Sequence, residues 1–269
     1  MCIGWMLAAL SGLAVWALLY ALMFSGFQES GAQHSLYALL RTQIAQEIAP
    51  LGGNIKLGRP VAVLRVPQAG IDAVVVEGTT SGVLENGPGL EADTPLPGQL
   101  GQAEIFGRQT MFGGPFRHLS ALRPGDEFQV TTGEGIFTYR VGSLIYPHDP
   151  LPPPLGADQS RVMLVTTTGS GWAPDQLLYV VANLVGKPAG SQAGMPTAVP
   201  ASQEPMHGDT SALMPLVLWL QLLLVTVLAA VWVRSRWGGW QTWLVVAPAL
   251  LALIWVISET AFQLLPNLI

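Results

Sequence analysis

Three long apolar segments constrain this chain more than any other feature. Ile3 to Phe24 runs with almost no polar interruption, and Ala212 to Val233 carries only Gln221 and Thr226 as polar side chains. Leu244 to Ile257 continues through Ser258, Glu259 and Thr260 to Leu265. Each is long enough for a hydrocarbon core of about 30 Å, which takes about 20 helical residues. The sequence therefore predicts three transmembrane helices and a multi-pass protein of the plasma membrane. Only 11% of the residues are charged, against about a quarter in a soluble domain, which excludes an ordinary cytosolic enzyme. Twelve Lys and Arg and a formal net charge of −5 supply no clustered basic surface, so nucleic acid is not an expected partner. The first segment also invites comparison with a cleaved signal peptide. It lacks a basic leader, its apolar run is too long, and no small-residue cleavage site follows; it reads as an uncleaved anchor.

Charge sets the orientation. Arg234 and Arg236 lie in the short loop between the second and third segments, whereas Ala189 to Ala212 has no Lys or Arg. Positive-inside bias then places the arginine loop in the cytoplasm and residues 28–211 outside, with Trp237, Trp240 and Trp243 as an inner aromatic belt. Glu259 lies about 25 Å along its helix from the inner end at 1.5 Å per residue. It is either an interfacial carboxylate or a contact for a partner.

The segments divide the chain into an anchor (1–27), a helical linker (28–59), a strand-rich domain (60–185), a flexible linker (186–211), a second span (212–233), a cytoplasmic loop (234–242) and a third span (243–265). Within the helical linker, Leu36, Leu40, Ile44 and Ile48 recur every four residues, and Pro50 with Gly52 and Gly53 ends the pattern. Residues 186–211 are rich in Gly, Pro, Ala, Ser and Gln and lack periodicity. Between the linkers lie short β-branched runs at 61–66, 73–76, 128–130, 137–141, 162–165 and 178–181, punctuated by Gly, Pro and Asp. That pattern predicts a mostly β domain closed as a barrel.

Ordered phrases in this domain carry a resemblance. They are Val75-Val76-Glu77-Gly78, Gly87-Pro88-Gly89, Thr94-Pro95-Leu96-Pro97-Gly98-Gln99 with Gly101, Gly113-Gly114-Pro115-Phe116-Arg117-His118-Leu119, Leu122-Arg123-Pro124-Gly125-Asp126 and Leu164-Val165-Thr166. In this order, residues 60–185 resemble the sortase catalytic domain, nearest to the class E or class F sortases of actinobacteria. The resemblance implies an eight-stranded β-barrel at the cell envelope. It also implies ancestry in transpeptidases that cut a sorting signal such as LPxTG and attach the protein to the cell wall.

The family chemistry uses a cysteine thiolate as nucleophile, a histidine for acid–base work and an arginine for the developing oxyanion. The family histidine follows Ile-x-Gly, where this chain reads Ile105-Phe106-Gly107-Arg108. The family cysteine ends Leu-x-Thr-Cys, where this chain reads Leu164-Val165-Thr166-Thr167. The family arginine lies about five residues before a final Ala, where Gln176, Leu177 and Leu178 precede Ala182. Arg108, Thr167 and Leu177 thus stand at the histidine, cysteine and arginine positions, and the resemblance implies a protein without the catalytic set. Cys2, the one cysteine, falls at the cytoplasmic start of the anchor and cannot substitute. His34, His148 and His207 fall in linkers or loops, and His118 belongs to the Pro-Phe-Arg-His phrase. None forms a metal-ligand spacing, and neither a metal nor a cofactor is expected. Arginine stays protonated and cannot act as a base for Thr167.

What such a domain can keep is recognition. Arg108, Thr167, Thr168 and Trp172 are the expected peptide-binding residues, with Arg108 as a permanent cation for a carboxylate or peptide carbonyl; filling space and reaching solvent is the plainer role for it. Three readings follow. The first is an inactive sortase-like subunit binding a sorting-signal-like peptide or an envelope protein. The second is an active sortase-type peptidase with a non-standard nucleophile. The third is a purely structural subunit of a membrane complex.

Overall fold

The computed structural model describes residues 12, 15–150, 152–170, 173–190, 194, 196, 198–236 and 239–269. It divides into two compact units, Met1–His207 with Asn267–Ile269, and Gly208–Pro266.

In the first unit, eight strands close a barrel: β1 (Pro60–Val66), β2 (Ile71–Glu77), β3 (Gly89–Leu90), β4 (Gly101–Phe106), β5 (Glu127–Thr132), β6 (Gly135–Ile145), β7 (Ser160–Ser170) and β8 (Ala173–Val185). Around the barrel the order is β1-β2-β3-β4-β7-β8-β6-β5, with β5 returning to β1. The pairs β2–β3 and β4–β7 are parallel. Closure leaves no free sheet edge where every strand is fully paired. Strand alternation sorts the side chains into two apolar clusters. Leu64, Ala103, Ile105, Phe128, Val130, Val162, Leu164, Leu178 and Val180 fill the interior. Phe106, Ile145, Met163, Val165 and Val181 form a second cluster with Leu84 and Leu268. On β4, β7 and β8 the two sets alternate residue by residue, so the second cluster lies on the outer face of these strands.

The amino-terminal helix is continuous from residue 15, through a π turn at Tyr20–Phe24, into α1 (Ser25–Ala45). The structure thus shows no break at the expected boundary between anchor and linker. Tyr20, Ala21, Ser25, Leu40 and Gln43 are buried. The expected stripe stops early, because the helix closes at Ala45 and Ile48 lies beyond it, 64% exposed. The closure is a Schellman motif: Ile48 N–H donates to Gln43 O and Glu47 N–H to Ile44 O, with Glu47 at φ 58°. The stretch read as a flexible linker is fixed in part. Ala189 exchanges backbone hydrogen bonds with Gly98 and Leu100, and Gln203 is buried, its carbonyl accepting from Thr79 Oγ1.

The second unit contains α3 (Leu213–Arg236) and α4 (Gly239–Phe262); α2 (Ser81–Leu84) is a single turn in the first unit. Among the described residues two stretches, Thr210–Arg236 and Leu244–Phe262, are long and apolar enough to cross a membrane. Three were expected. Half of the first expected span, residues 3–11, 13 and 14 of Ile3 to Phe24, lies outside the described residues. Its described end buries Tyr20 and Ala21 but leaves Val15, Leu18, Leu19 and Met23 exposed. By contrast, α3 buries none of its residues and turns Leu218, Leu224, Leu228 and Val231 outward.

Candidate functional site: an occupied cleft on the barrel face

The outer face of β4, β7 and β8 ends in a cleft whose floor is the second apolar cluster. Alternation puts Thr167 on the same face as Val165, and Leu177 on the same face as Tyr179 and Val181. Thr167 and Leu177 are direct cross-strand partners. Arg108 follows β4, whose Phe106 is in register with Val165, and the intervening residue is fixed by Gly107 N–H donating to Val165 O and Thr166 Oγ1 to Gly107 O. The three positions singled out from the sequence therefore converge. Thr168 is half-buried beside them, and Thr166 is turned away from the cleft by its bond to Gly107. Trp172 and Cys2 lie outside the described residues.

Gly107 has no side chain for a steric reason. A Cβ there would meet the Phe116 ring, and Phe116 packs under the loop that carries Arg108, its N–H donating to Arg108 O. The loop turns back through Phe112, Gly113 and Gly114, all at positive φ. Helix α1 clamps it, with Phe112 N–H donating to Ser25 Oγ at 3.2 Å.

Arg108 does not reach solvent; it is fully buried. Its guanidinium carbon sits 4.7 Å from the Phe112 ring centroid, a cation–π contact. Its Nη2 donates to Ser81 O at 2.9 Å and Ser81 Oγ at 2.8 Å, and its Nη1 to the Ile269 backbone oxygen at 3.2 Å. Burial pulls the guanidinium down to about 10, opposed by the charge of Glu85, so it remains a cation at neutral pH. Its Nε has no hydrogen-bond partner among the described residues.

Thr167 Oγ1 lies 3.1 Å from Gln109 Oε1 and 3.3 Å from Leu268 O. Both neighbours are amide-type acceptors, and neither can take up a proton as a general base. Of the four histidines, His34, His118, His148 and His207 are all exposed. Leu177 packs into the apolar floor and supplies no donor for an oxyanion. No group of three or more metal-ligating side chains occurs among the described residues.

The cleft is filled by the segment after α4. Asn267 and Leu268 are fully buried and Ile269 is 8% exposed. Leu268 enters the apolar floor, and its carbonyl accepts from Gln109 N–H at 3.1 Å as well as from Thr167. Asn267 Nδ2 donates to Thr79 O and Glu204 O, and its N–H to His207 O. Ser81, Leu84, Gln109, Phe112 and this segment are cleft residues that sequence reasoning did not find. The Gly-Gly-Pro-Phe phrase marks the loop bearing Phe112, but no local signal in Asn267-Leu268-Ile269 ties it to a loop so distant in sequence.

A closed eight-stranded barrel with its cleft at the ends of β4, β7 and β8 defines the class. Residues 64–185 match the Sortase domain family, and the chain carries a sortase-family domain. It is 32% identical to Sortase D of Bacillus subtilis (strain 168) over 85 residues, 31% of this chain and 41% of that protein. The chain thus spans less than half the length of that relative. Among solved structures it is similar to a Clostridium perfringens Sortase D5 transpeptidase, with a TM-score of 0.48 and 26% identity over 58% of this chain and 99% of that one. It is also similar to Sortase E1 from Streptomyces coelicolor, with a TM-score of 0.42 and 22% identity over 49% and 91%.

Proposed function

We propose that this sortase-family domain recognises an extended peptide at the outer face of the plasma membrane and does not cut it. The observation that carries this reading is the pairing at the cleft: a buried Arg108 cation bonded to the Ile269 backbone oxygen, beside a Thr167 hydroxyl that has only amide-type acceptors around it. A threonine nucleophile needs a base to remove its proton. A buried cation with a backbone oxygen on one edge needs none; it binds. The partner class is a sorting-signal-like peptide or the exposed strand of an envelope protein, as the resemblance implies, and α3 and α4 hold the domain at the membrane.

The test uses the full chain in detergent with a fluorescent LPxTG peptide. We expect no cleavage or transpeptidation, and binding that weakens by about 2–5 kcal/mol in Arg108→Ala, the scale for removing one member of a buried, hydrogen-bonded charge contact. Turnover abolished by Thr167→Ala would establish an active enzyme with a non-standard nucleophile instead. Equal affinity of wild type and Arg108→Ala would remove Arg108 from the site and favour a structural docking role.

A further inference from the structure

We propose that Asn267–Ile269 is a tethered occupant of the peptide cleft, and that a partner peptide binds by displacing it. The inference rests on the peptide-recognition reading and adds its regulation. The segment is held as a ligand is held. Three donors of the cleft, Gln109 N–H, Thr167 Oγ1 and Arg108 Nη1, reach the backbone oxygens of Leu268 and Ile269. Backbone contacts of this kind accept many sequences, whereas the selective contact is the side chain of Leu268 among Leu84, Phe106, Met163 and Val165. A competing peptide is accordingly an extended strand with a leucine-sized aliphatic residue at the pocket and a carbonyl directed at Arg108.

The fit is incomplete in a way that favours exchange. Arg108 Nε and Asn267 Oδ1 are buried without hydrogen-bond partners among the described residues, and such groups carry the full desolvation penalty. A peptide offering one further acceptor at Arg108 Nε satisfies the cation better than the resident segment does. The resident holds the cleft because it is covalently tethered and so present at high effective concentration.

Hydrogen exchange on the full chain in detergent tests this, comparing wild type with Leu268→Asp and the milder Leu268→Ala. A carboxylate is expelled from an apolar pocket, so the Gln109 amide loses its acceptor. We expect Gln109 exchange to quicken by about tenfold or more in Leu268→Asp and by less in Leu268→Ala, as local opening predicts, while β5 amides stay protected and report a folded barrel. A fluorescein-labelled Pro-Asn-Leu-Ile peptide, the resident sequence itself, should bind Leu268→Asp about tenfold or more tighter than wild type, because apparent affinity scales with the fraction of open cleft. Unchanged Gln109 exchange in both variants overturns the occupancy. Quickened exchange with peptide affinity equal in variant and wild type overturns the displacement. Quickened exchange with the labelled peptide bound by none of the three proteins supports the occupancy and overturns the peptide-recognition reading instead.

Discussion

Glu77 shows how one residue can set the pH response of the barrel. It continues the inward phase of Ile71, Ala73 and Val75 on β2 and is only 3% exposed. Its Oε2 has no hydrogen-bond partner among the described residues, and burial pushes the carboxyl from 4.5 up to about 8. Between those values the native state keeps a proton that the unfolded chain has released. Stability from this group is therefore full below about pH 4.5, is lost as pH rises, and levels off above about 8. Glu77→Gln should remove that slope and exceed wild-type stability at pH 8.5 by more than about 1 kcal/mol, since one pKa unit corresponds to about 1.4 kcal/mol. Urea midpoints of the full chain in detergent from pH 4.5 to 9 would check it; parallel curves for the two proteins would assign the slope to other groups. Arg108 carries the complementary lesson. Its place in the cleft was legible from Ile105-Phe106-Gly107-Arg108, but its burial was not, because Ser81 and Ile269 reach it from distant parts of the chain and Phe112 only through the turn of its own loop.

At the scale of elements, α1 completes the sheet in an unusual way. β2 is paired with β3 only at Val76 and Glu77, which leaves the backbone at Val74 without a neighbouring strand on that side. The Gln33 carboxamide takes the strand's place: Val74 N–H donates to its Oε1 at 2.7 Å, and its Nε2 donates to Val74 O at 3.1 Å and Asn86 O at 2.6 Å. Gly87 admits this side chain, since a Cβ there would overlap the Gln33 amide. Gln33→Ala should cost about 2 kcal/mol, because it strips partners from part-buried backbone groups. It should also raise exchange at the Val74 amide well before global unfolding. Protection at Val74 equal to wild type would show that water replaces the amide without loss. The sequence made six of the eight strands visible, because β-branched runs stand out between turn residues. β3 was missed because two residues carry no period. β4 was missed because Gly101-Gln102-Ala103-Glu104 lacks β-branched residues, and its identity as a strand comes from being held between β3 and β7. The end of α1 was misplaced because the four-residue stripe runs on to Ile48, whereas the left-handed turn at Glu47 stops the helix.

At the scale of the molecule, the cleft contents bear on how the chain would cross a membrane. Asn267–Ile269 belongs to the same compact unit as the barrel, although the apolar stretches Thr210–Arg236 and Leu244–Phe262 separate them in sequence. A chain that crosses a bilayer twice ends on the side where it began, whereas a single crossing would strand residues 267–269 opposite the barrel. Two crossings by α3 and α4 would return residues 267–269 to the side of the barrel. Arg234 and Arg236 close α3, and if α3 and α4 both cross, the positive-inside preference would put that end in the cytoplasm and the barrel outside. We therefore expect, in a Cys2→Ser background, that a cysteine at exposed Asp158 reacts with a membrane-impermeant maleimide on intact cells, and that one at exposed Ser235 reacts only after lysis. A cysteine in place of Ile269 should follow Asp158 in sidedness but label slowly, and it should label faster when Leu268→Asp is added. Ser235 labelling on intact cells would reverse the orientation. Labelling at 269 only after lysis would place the segment on the far side from the barrel, which no occupancy of the cleft survives.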